Sequence, residues 1–207
     1  MMHQLETIFK QAQGPAGYAG AYFERMAEIM RAIDPGRVAE CCDLIEDTIE
    51  NGGAIYLLAN GGSSAVASHF VNDAVCGAWV DDARPIRAYA LSDNVESITA
   101  LANDHGYEEI FVQQLKSLMQ AGDLVIALSV SGNSENLVRA LKWANARGGR
   151  TMAWTGFAGG KLKEIAKISI HMPTTRDEYG PVEDMFSVLE HIMTTYLAMK
   201  RGRRLYK

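Results

Sequence analysis

Residues 54–76 read AIYLLANGGSSAVASHFVNDAVC, and this stretch decides the fold. A short apolar run meets a glycine–serine turn, and a helix-compatible segment follows, which is typical of a βα junction in a parallel sheet. Such junctions place a loop and a helix N-terminus at the carboxyl edge of the sheet, where open α/β sheets bind ligands. Gly61 and Gly62 let backbone N–H groups approach an anion, and Ser63 adds a hydroxyl donor. The stretch therefore predicts a phosphate-binding loop, with a simple turn and helix cap as the alternative.

The composition is that of an ordinary globular protein. The chain has 207 residues, of which 48% are hydrophobic and 22% charged, enough for one domain with a large core. A net charge of −5 gives no reason to expect nucleic-acid binding. The three cysteines lack metal-ligand spacing and two are adjacent, which favours a reducing compartment. Without a signal-like N-terminus or an apolar run of about 18 residues, we expect a cytoplasmic protein that makes no membrane contact.

Turn signals and apolar periodicity predict an α/β fold: a doubly wound, five-stranded parallel sheet flanked by helices, with an N-terminal helical hairpin and a long C-terminal helix. The hairpin turns at Asp34-Pro35-Gly36, and its first half is broken near Pro15. The predicted strands are 55–59, 86–90, 124–129, 151–155 and 168–172. The predicted helices of the sheet region are 64–78, 97–103, 108–119, 136–146, 161–166 and 181–200. We expect three parts, namely N-terminal helices (1–53), the sheet domain (54–200) and a solvated basic tail (201–207).

A second hydroxyl-rich loop follows the apolar run that ends at Leu128. It reads SVSGNS and carries Ser129, Ser131 and Ser134 before a helix. Serine is also a common helix cap, so a turn and cap is again the ordinary alternative. Two such loops at neighbouring strand ends can supply several neutral donors to one phosphate, and together they favour a phosphorylated ligand.

Two pairs of reactive side chains have helical spacing. His69 and Asp73 are four residues apart, and Glu183 and His191 are eight apart, so each pair can share a helix face. Two imidazoles and two carboxylates suit a divalent ion such as zinc. Surface ion pairs or hydrogen-bonded core histidines are the alternative, because spacing alone does not show that the two helices meet.

Several motifs together resemble a known family. The segment Asn60-Gly61-Gly62-Ser63, the SVSGNS loop and the later TGFAGGKL segment (155–162) resemble a sugar isomerase (SIS) domain, and segments 91–93 and 101–107 resemble its phosphoheptose isomerase branch. The resemblance covers about residues 40–200. It implies an aldose–ketose isomerase that converts sedoheptulose 7-phosphate to D-glycero-D-manno-heptose 7-phosphate. It also implies one zinc ion per subunit and a homotetramer with sites at subunit interfaces.

The resemblance further assigns residues to roles. Phosphate binding falls on Ser63, Ser129, Ser131 and Ser134. Other substrate-binding positions are Asn60, Gly61, Gly62, Asp93, Asn103, Asp104 and Glu183. The metal ligands are His69, Asp73, Glu183 and His191. Asp73 is then the catalytic base and His191 the acid, with proton transfer between C1 and C2 through an enediol.

Two of these positions depart from the branch, which typically has glutamate at Asp73 and glutamine at Glu183. The shorter carboxylate and the added negative charge leave three functions open. They are the heptose phosphate reaction, isomerisation of a different phosphosugar, and a non-catalytic SIS protein that binds a phosphosugar or a replication initiator. The presence of both Asp73 and His191 favours an enzyme. Residues 177–179, just before the last helix, are expected to form a mobile flap near the site.

Overall fold

The computed structural model describes residues 4–205, and its centre is a five-stranded, fully parallel sheet in the order β2-β1-β3-β4-β5. The strands are β1 (Ala54–Ala59), β2 (Arg87–Ala90), β3 (Leu124–Ser129), β4 (Arg150–Thr155) and β5 (Ile168–His171). The helices are α1 (Gln4–Gln11), α2 (Gly14–Arg31), α3 (Pro35–Glu50), α4 (Gly62–Asn72), α5 (Val95–His105), α6 (Ile110–Leu118), α7 (Glu135–Ala146), α8 (Gly160–Ile165) and α9 (Tyr179–Lys200). The predicted fold class is confirmed.

Several helices begin or end one or two residues from their predicted bounds, and for two of them the local reason is visible. The segment expected as one helix over 64–78 ends its α-helical part at Asn72, and a π-helical turn continues over Asp73–Gly77. Helix α5 begins earlier than expected because the Asn94 side chain accepts a hydrogen bond from the Ser97 N–H at 2.9 Å, which caps the helix at Val95.

The order of the strands creates a crevice in the middle of the sheet. The chain leaves β1 for β2 on one side and then crosses to β3 on the other side of β1. Ile55 pairs with Leu124, and Ala59 pairs with Leu128, so β1 and β3 end at the same level. In open α/β sheets the ligand site lies at such a switch point, beyond the carboxyl ends of the strands.

Helices cover both faces of the sheet. One hydrophobic cluster joins alternate strand residues such as Leu57, Ile126 and Trp154 to α3, α4 and α9. The other joins the intervening residues, including Leu58 and Ala127, to α5, α6, α7 and α8. Every residue of β1 and β3 is buried, which explains why these strands are continuous apolar runs.

The N-terminal helices pack on α9. Asp34 caps α3 by accepting a hydrogen bond of 2.8 Å from the Gly36 N–H, and Pro35 begins that helix, as the turn signal predicts. An open apolar groove of about 420 Å³ lies between the end of α2, the start of α3 and the outer side of α9. No helix in the described part of the chain could cross a membrane.

The basic tail is attached to the body at its start. Arg201 donates a hydrogen bond of 3.1 Å to the Ala78 carbonyl, and Arg203 donates one of 2.7 Å to the Trp79 carbonyl. The exposed Arg203 remains solvated while making this bond, and residues 206–207 lie outside the described range.

Candidate active site

The two hydroxyl-rich loops lie side by side at the carboxyl ends of β1 and β3 and line one open cleft of about 290 Å³. Helix α9 and the turn between β4 and α8 supply the remaining walls. Of the predicted phosphate and substrate residues, the cleft contains Asn60, Gly61, Gly62, Ser63, Ser129, Ser131, Ser134 and Glu183. The other lining residues are Leu128, Val130, Leu137, Phe157 and Tyr179.

The first loop packs directly against α9. Gly61 has a φ of +55° where the chain turns from β1 into α4, a conformation that glycine adopts at little cost. A Cβ on Gly62 would lie 2.5 Å from a carboxylate oxygen of Glu183, so any larger residue would displace that side chain. The same carboxylate accepts a hydrogen bond of 3.0 Å from Ser63 Oγ. Glu183 therefore belongs to the wall of the cleft.

The second loop presents hydroxyl groups whose protons remain available. The Gly132 N–H donates to Ser129 Oγ at 3.1 Å, and the Asn133 N–H donates to Ser131 Oγ at 3.2 Å. Both serine oxygens thus act as acceptors within the loop, and each hydroxyl can still donate to a phosphate oxygen. Ser134 is the N-cap of α7 and makes no side-chain capping bond. The loop therefore offers three hydroxyls beside the free N–H groups of a 12-residue helix.

The turn between β4 and α8 supports the second loop from behind. A Cβ on Gly132, whose φ is +65°, would lie 1.9 Å from the Gly159 carbonyl oxygen. The Leu162 N–H donates to the Gly132 carbonyl at 2.9 Å, and the Lys161 N–H donates to the Asn133 side-chain oxygen at 3.1 Å. A Cβ on Gly160 would likewise lie 2.5 Å from the Ser131 carbonyl oxygen, so Gly132 and Gly160 are needed for close packing of this turn against the second loop.

An amide pair links the first loop to α7. The Asn60 amide donates to Asn136 Oδ1 at 3.0 Å, and the Asn136 amide donates back to Asn60 Oδ1 at 2.9 Å. The Tyr107 hydroxyl donates to the same oxygen of Asn60 at 2.9 Å. Asn136 is buried, so its side chain holds the two loops in register. The sequence does not single out Asn136, although an asparagine in the first turn of a buried helix is a polar residue that needs a partner.

Four titratable side chains from α4, its π-helical end and α9 form a second group, which we call the α4–α9 cluster. It consists of His69, Asp73, Glu190 and His191, and each offers a ligand atom such that all four atoms lie within 4.8 Å of one another. The Asp73 carboxylate lies 3.6 Å from His69 Nε2 and 3.9 Å from His191 Nε2. The two imidazole rings meet edge to face with their centres 4.9 Å apart. The two helices therefore do meet at the residues whose spacing suggested a metal site.

Glu190 is the member of the cluster that the resemblance does not include. Its side chain is 0% exposed, and its Oε2 lies 3.3 Å from His191 Nε2 and 3.9 Å from His69 Nδ1. Among residues 4–205, Oε2 finds no hydrogen-bond partner, whereas Oε1 accepts a bond of 3.2 Å from Thr194. Burial raises the pKa of the Glu190 carboxyl, and the charge of His191 opposes that rise. A buried, unpartnered carboxylate oxygen beside two imidazoles is a donor that fits a divalent cation.

Glu183, the ligand expected from the resemblance, does not join this cluster. It precedes Glu190 by seven residues on α9, which is about 10 Å along a helix at 1.5 Å per residue. Its carboxylate is engaged by Ser63 at the first turn of α4. The carboxylate beside the two histidines is that of Glu190, and the assignment of Glu183 as a ligand stays a prediction.

Three other predicted substrate positions lie outside the cleft. Asp93 is exposed and accepts a hydrogen bond from the Ser68 hydroxyl on α4. Asn103 and Asp104 are exposed at the end of α5, where the Asn103 amide donates to the Asp104 carboxylate at 2.8 Å. Ser68, the partner of Asp93, directly precedes His69 of the α4–α9 cluster. Among the described residues, no hydrogen bond or ion pair connects Asn103 or Asp104 to that cluster.

The segment before α9 is fastened by the N-terminal helices, in contrast to the mobile flap that its position suggests. Asp177 accepts a hydrogen bond of 2.7 Å from the Leu5 N–H. Glu178 is fully buried and accepts a bond of 2.6 Å from Arg25 Nε. Of residues 177–179, Tyr179 alone lines the cleft.

Comparison with known proteins agrees with this architecture. The SIS domain family model matches residues 21–156. The probable phosphoheptose isomerase of Thermoplasma acidophilum is 33% identical over 181 residues, which are 87% of this chain and 94% of that relative. The phosphoheptose isomerase of Aquifex aeolicus is 32% identical over 193 residues, or 93% of this chain and 94% of that one.

Solved structures of phosphoheptose isomerases have a similar fold. A phosphoheptose isomerase from Francisella tularensis has a TM-score of 0.81 at 25% identity, covering 90% of this chain and 100% of that one. A phosphoheptose isomerase from Neisseria gonorrhoeae has a TM-score of 0.79 at 27% identity, and the match covers 87% of this chain and 97% of that one. The chain therefore belongs to the SIS domain family, in its phosphoheptose isomerase branch.

Proposed function

We propose that this protein is an aldose–ketose isomerase that converts sedoheptulose 7-phosphate to D-glycero-D-manno-heptose 7-phosphate. One observation carries the proposal: the polar cleft and the α4–α9 cluster occupy successive positions along the same two packed helices. Ser63 and Glu183 mark the cleft end of α4 and α9, and His69 and Glu190 mark the cluster end. A substrate with a phosphate at one end and a reactive carbonyl at the other matches this arrangement.

The separation of the two ends suits a long sugar chain. Six residues from Ser63 to His69 and seven from Glu183 to Glu190 correspond to about 9 and 10 Å of helix rise. An extended chain of single bonds advances about 1.2 Å per bond, so the eight bonds from C1 to phosphorus in a heptose 7-phosphate span about 10 Å. A triose phosphate, with four bonds over the same path, spans about 5 Å and is too short.

The phosphate is held by neutral donors. The hydroxyls of Ser129, Ser131 and Ser134 line the cleft together with the N-termini of α4 and α7, whereas the Ser63 hydroxyl donates to Glu183 and reaches a phosphate only if it leaves that carboxylate. Such N–H groups favour anions through both hydrogen bonding and the helix dipole. The Glu183 carboxylate faces the same space and repels a phosphate, so we place it next to the sugar, where it accepts hydrogen bonds from hydroxyl groups.

Asp73 and His191 carry out the proton transfer, and Oδ2 of Asp73 lies 3.9 Å from Nε2 of His191. Asp73 removes a proton from C1 of the ketose while His191 donates one to the C2 oxygen, giving an enediol. His191 then accepts the proton of the C1 hydroxyl as that oxygen becomes the aldehyde, and Asp73 returns its proton to C2. No proton is gained or lost over the cycle, and both groups end in their starting states.

The α4–α9 cluster is the proposed site of one zinc ion per subunit. His69, Asp73, Glu190 and His191 would hold it, and the unpartnered Glu190 oxygen supports this set. A bound dication supplies Lewis acidity that polarises the substrate's carbonyl and hydroxyl oxygens. We further propose a cytoplasmic homotetramer in which residues 54–200 form the SIS domain and the N-terminal helices take part in subunit contacts.

The test is incubation with sedoheptulose 7-phosphate, with and without zinc, while NMR follows the appearance of an aldose. We expect turnover by the wild type, none by Asp73→Ala or His191→Ala, and retained phosphosugar binding in both. Asp73→Glu, which introduces the residue typical of the branch, is the matched control and should keep turnover. Binding by the wild type without any aldose would instead favour the non-catalytic alternative.

A further inference from the structure

Phe157 adopts a backbone conformation that a bulky residue normally avoids. Its φ is +46°, and among the described residues it is the one non-glycine with a positive φ. For a residue with a Cβ this region is crowded, so such positions usually hold glycine or asparagine. Strained residues persist where the surrounding structure fixes them, and they concentrate at functional sites.

The surroundings of Phe157 do fix it. The turn is closed by a hydrogen bond of 2.8 Å from the Gly159 N–H to the Gly156 carbonyl. A Cβ on Gly156 would lie 2.6 Å from a methyl group of Val182, so this side of the turn is wedged against α9. Thr174 holds Phe157 in both directions: the Phe157 N–H donates to the Thr174 hydroxyl at 2.9 Å, and the Thr174 N–H donates to the Phe157 carbonyl at 3.3 Å.

The ring of Phe157 is not a core element. It is half-buried and belongs to neither of the two hydrophobic clusters that flank the sheet. Instead Phe157 lines the cleft, as does Tyr179, which is 66% exposed. The turn thus places an aromatic residue at a space whose other lining residues are serines, glycines, Asn60, Glu183 and the aliphatic residues Leu128, Val130 and Leu137.

We infer that Phe157 is a substrate-contacting residue, and that its ring and that of Tyr179 form an aromatic wall against which the carbon chain next to the phosphate packs. This inference rests on the proposed function, because it takes the cleft to be the phosphate end of a phosphosugar site. An aromatic ring offers a large apolar area for the C–H groups of a sugar.

The wall distinguishes a phosphosugar from a free phosphate. Inorganic phosphate needs only the serine hydroxyls and helix N-termini, whereas a sugar phosphate must also place its carbon chain beside the ring. Phe157 therefore contributes to affinity for the phosphosugar and not to affinity for inorganic phosphate.

The experiment is calorimetric titration of Phe157→Asn with sedoheptulose 7-phosphate and, separately, with inorganic phosphate. Asparagine tolerates a positive φ, so the turn is kept while the ring is lost. We expect sedoheptulose 7-phosphate to bind at least about tenfold more weakly and inorganic phosphate to change less than about twofold, with no fall in the urea midpoint. Phe157→Tyr keeps the ring and should bind like the wild type. Ala158→Gly, an exposed neighbour in the same turn, controls for backbone loosening.

Three results would overturn the inference. They are unchanged affinity of Phe157→Asn for sedoheptulose 7-phosphate, an equal loss for both probes, or a loss of the same size in Ala158→Gly. An equal loss would mean that the ring only supports the serine loop. If the wild type binds sedoheptulose 7-phosphate but makes no aldose, and Phe157→Asn loses affinity as predicted, the isomerase proposal fails and the aromatic wall stands. A wild type that does not bind sedoheptulose 7-phosphate overturns both.

Discussion

Replacing Glu190 by glutamine should change the stability of the metal-free protein and its metal affinity in opposite directions. Glu190 is fully buried and its Oε2 lacks a hydrogen bond. A buried unsatisfied acceptor costs about 1–3 kcal/mol, and more when it is charged. The neutral amide of Glu190→Gln removes that charge and can donate to His191, so we expect the metal-free variant to be more stable by about 1–3 kcal/mol.

The same change should weaken metal binding strongly. Binding free energies of four-ligand zinc sites are about 10–16 kcal/mol, so one ligand of four accounts for about 3 kcal/mol, or roughly 100-fold in affinity. Glu183→Gln is the matched control, because it makes the same chemical change seven residues earlier on α9. Its amide oxygen can keep the bond from Ser63, so we expect metal affinity within about threefold of the wild type.

Two assays decide the prediction. Urea unfolding in the presence of a chelator gives the stability of the metal-free proteins, and competition with a chromophoric zinc chelator gives the metal affinity. Retention of zinc by Glu190→Gln at wild-type affinity would show that Glu190 is not a ligand. A metal-free Glu190→Gln protein that is less stable than the wild type would refute the account of the unpartnered oxygen.

Two further predictions concern the N-terminal helices. Arg25→Met leaves the buried Glu178 carboxylate unpaired and should lower the free energy of unfolding by about 3 kcal/mol. Glu28→Gln, which removes an exposed partner of the same arginine, should cost less than about 1 kcal/mol; equal urea midpoints for the two variants would contradict this. Burial raises the pKa of Cys41 to about 12, so at pH 8 its thiol is protonated and should resist a thiol reagent. The exposed Cys76 should react at once, and rapid labelling of Cys41, read by mass spectrometry, would contradict that burial.

The strands and the polar cleft were accessible from sequence because both depend on local chemistry. Apolar runs followed by glycine and serine mark β1 and β3 without any knowledge of the rest of the chain. That their loops meet follows from parallel strands ending at one edge. The amide pair of Asn60 and Asn136 depends on the register of those strands, which no local pattern specifies.

Glu190 is the member of the α4–α9 cluster that the sequence analysis did not identify. Adjacent residues on a helix point in different directions, so a carboxylate next to His191 looks unrelated to it. The overlooked signal is periodicity: Glu190 lies four residues after Phe186 and three before Met193, both buried, which puts a charge on the apolar stripe. A charged residue at such a position needs a partner or a function. The positive φ of Phe157 had no comparable signal, since its neighbours in space come from distant segments.

The central claim is that one phosphosugar spans the cleft and the α4–α9 cluster. Its most direct test is ³¹P relaxation in the cobalt-substituted protein with sedoheptulose 7-phosphate bound, which measures the distance from the metal to the phosphorus. From the helix rises between Ser63 and His69 and between Glu183 and Glu190 we predict about 9–10 Å. A phosphorus within about 4 Å of the metal, or one that feels no paramagnetic effect while the sugar is bound, would contradict the account.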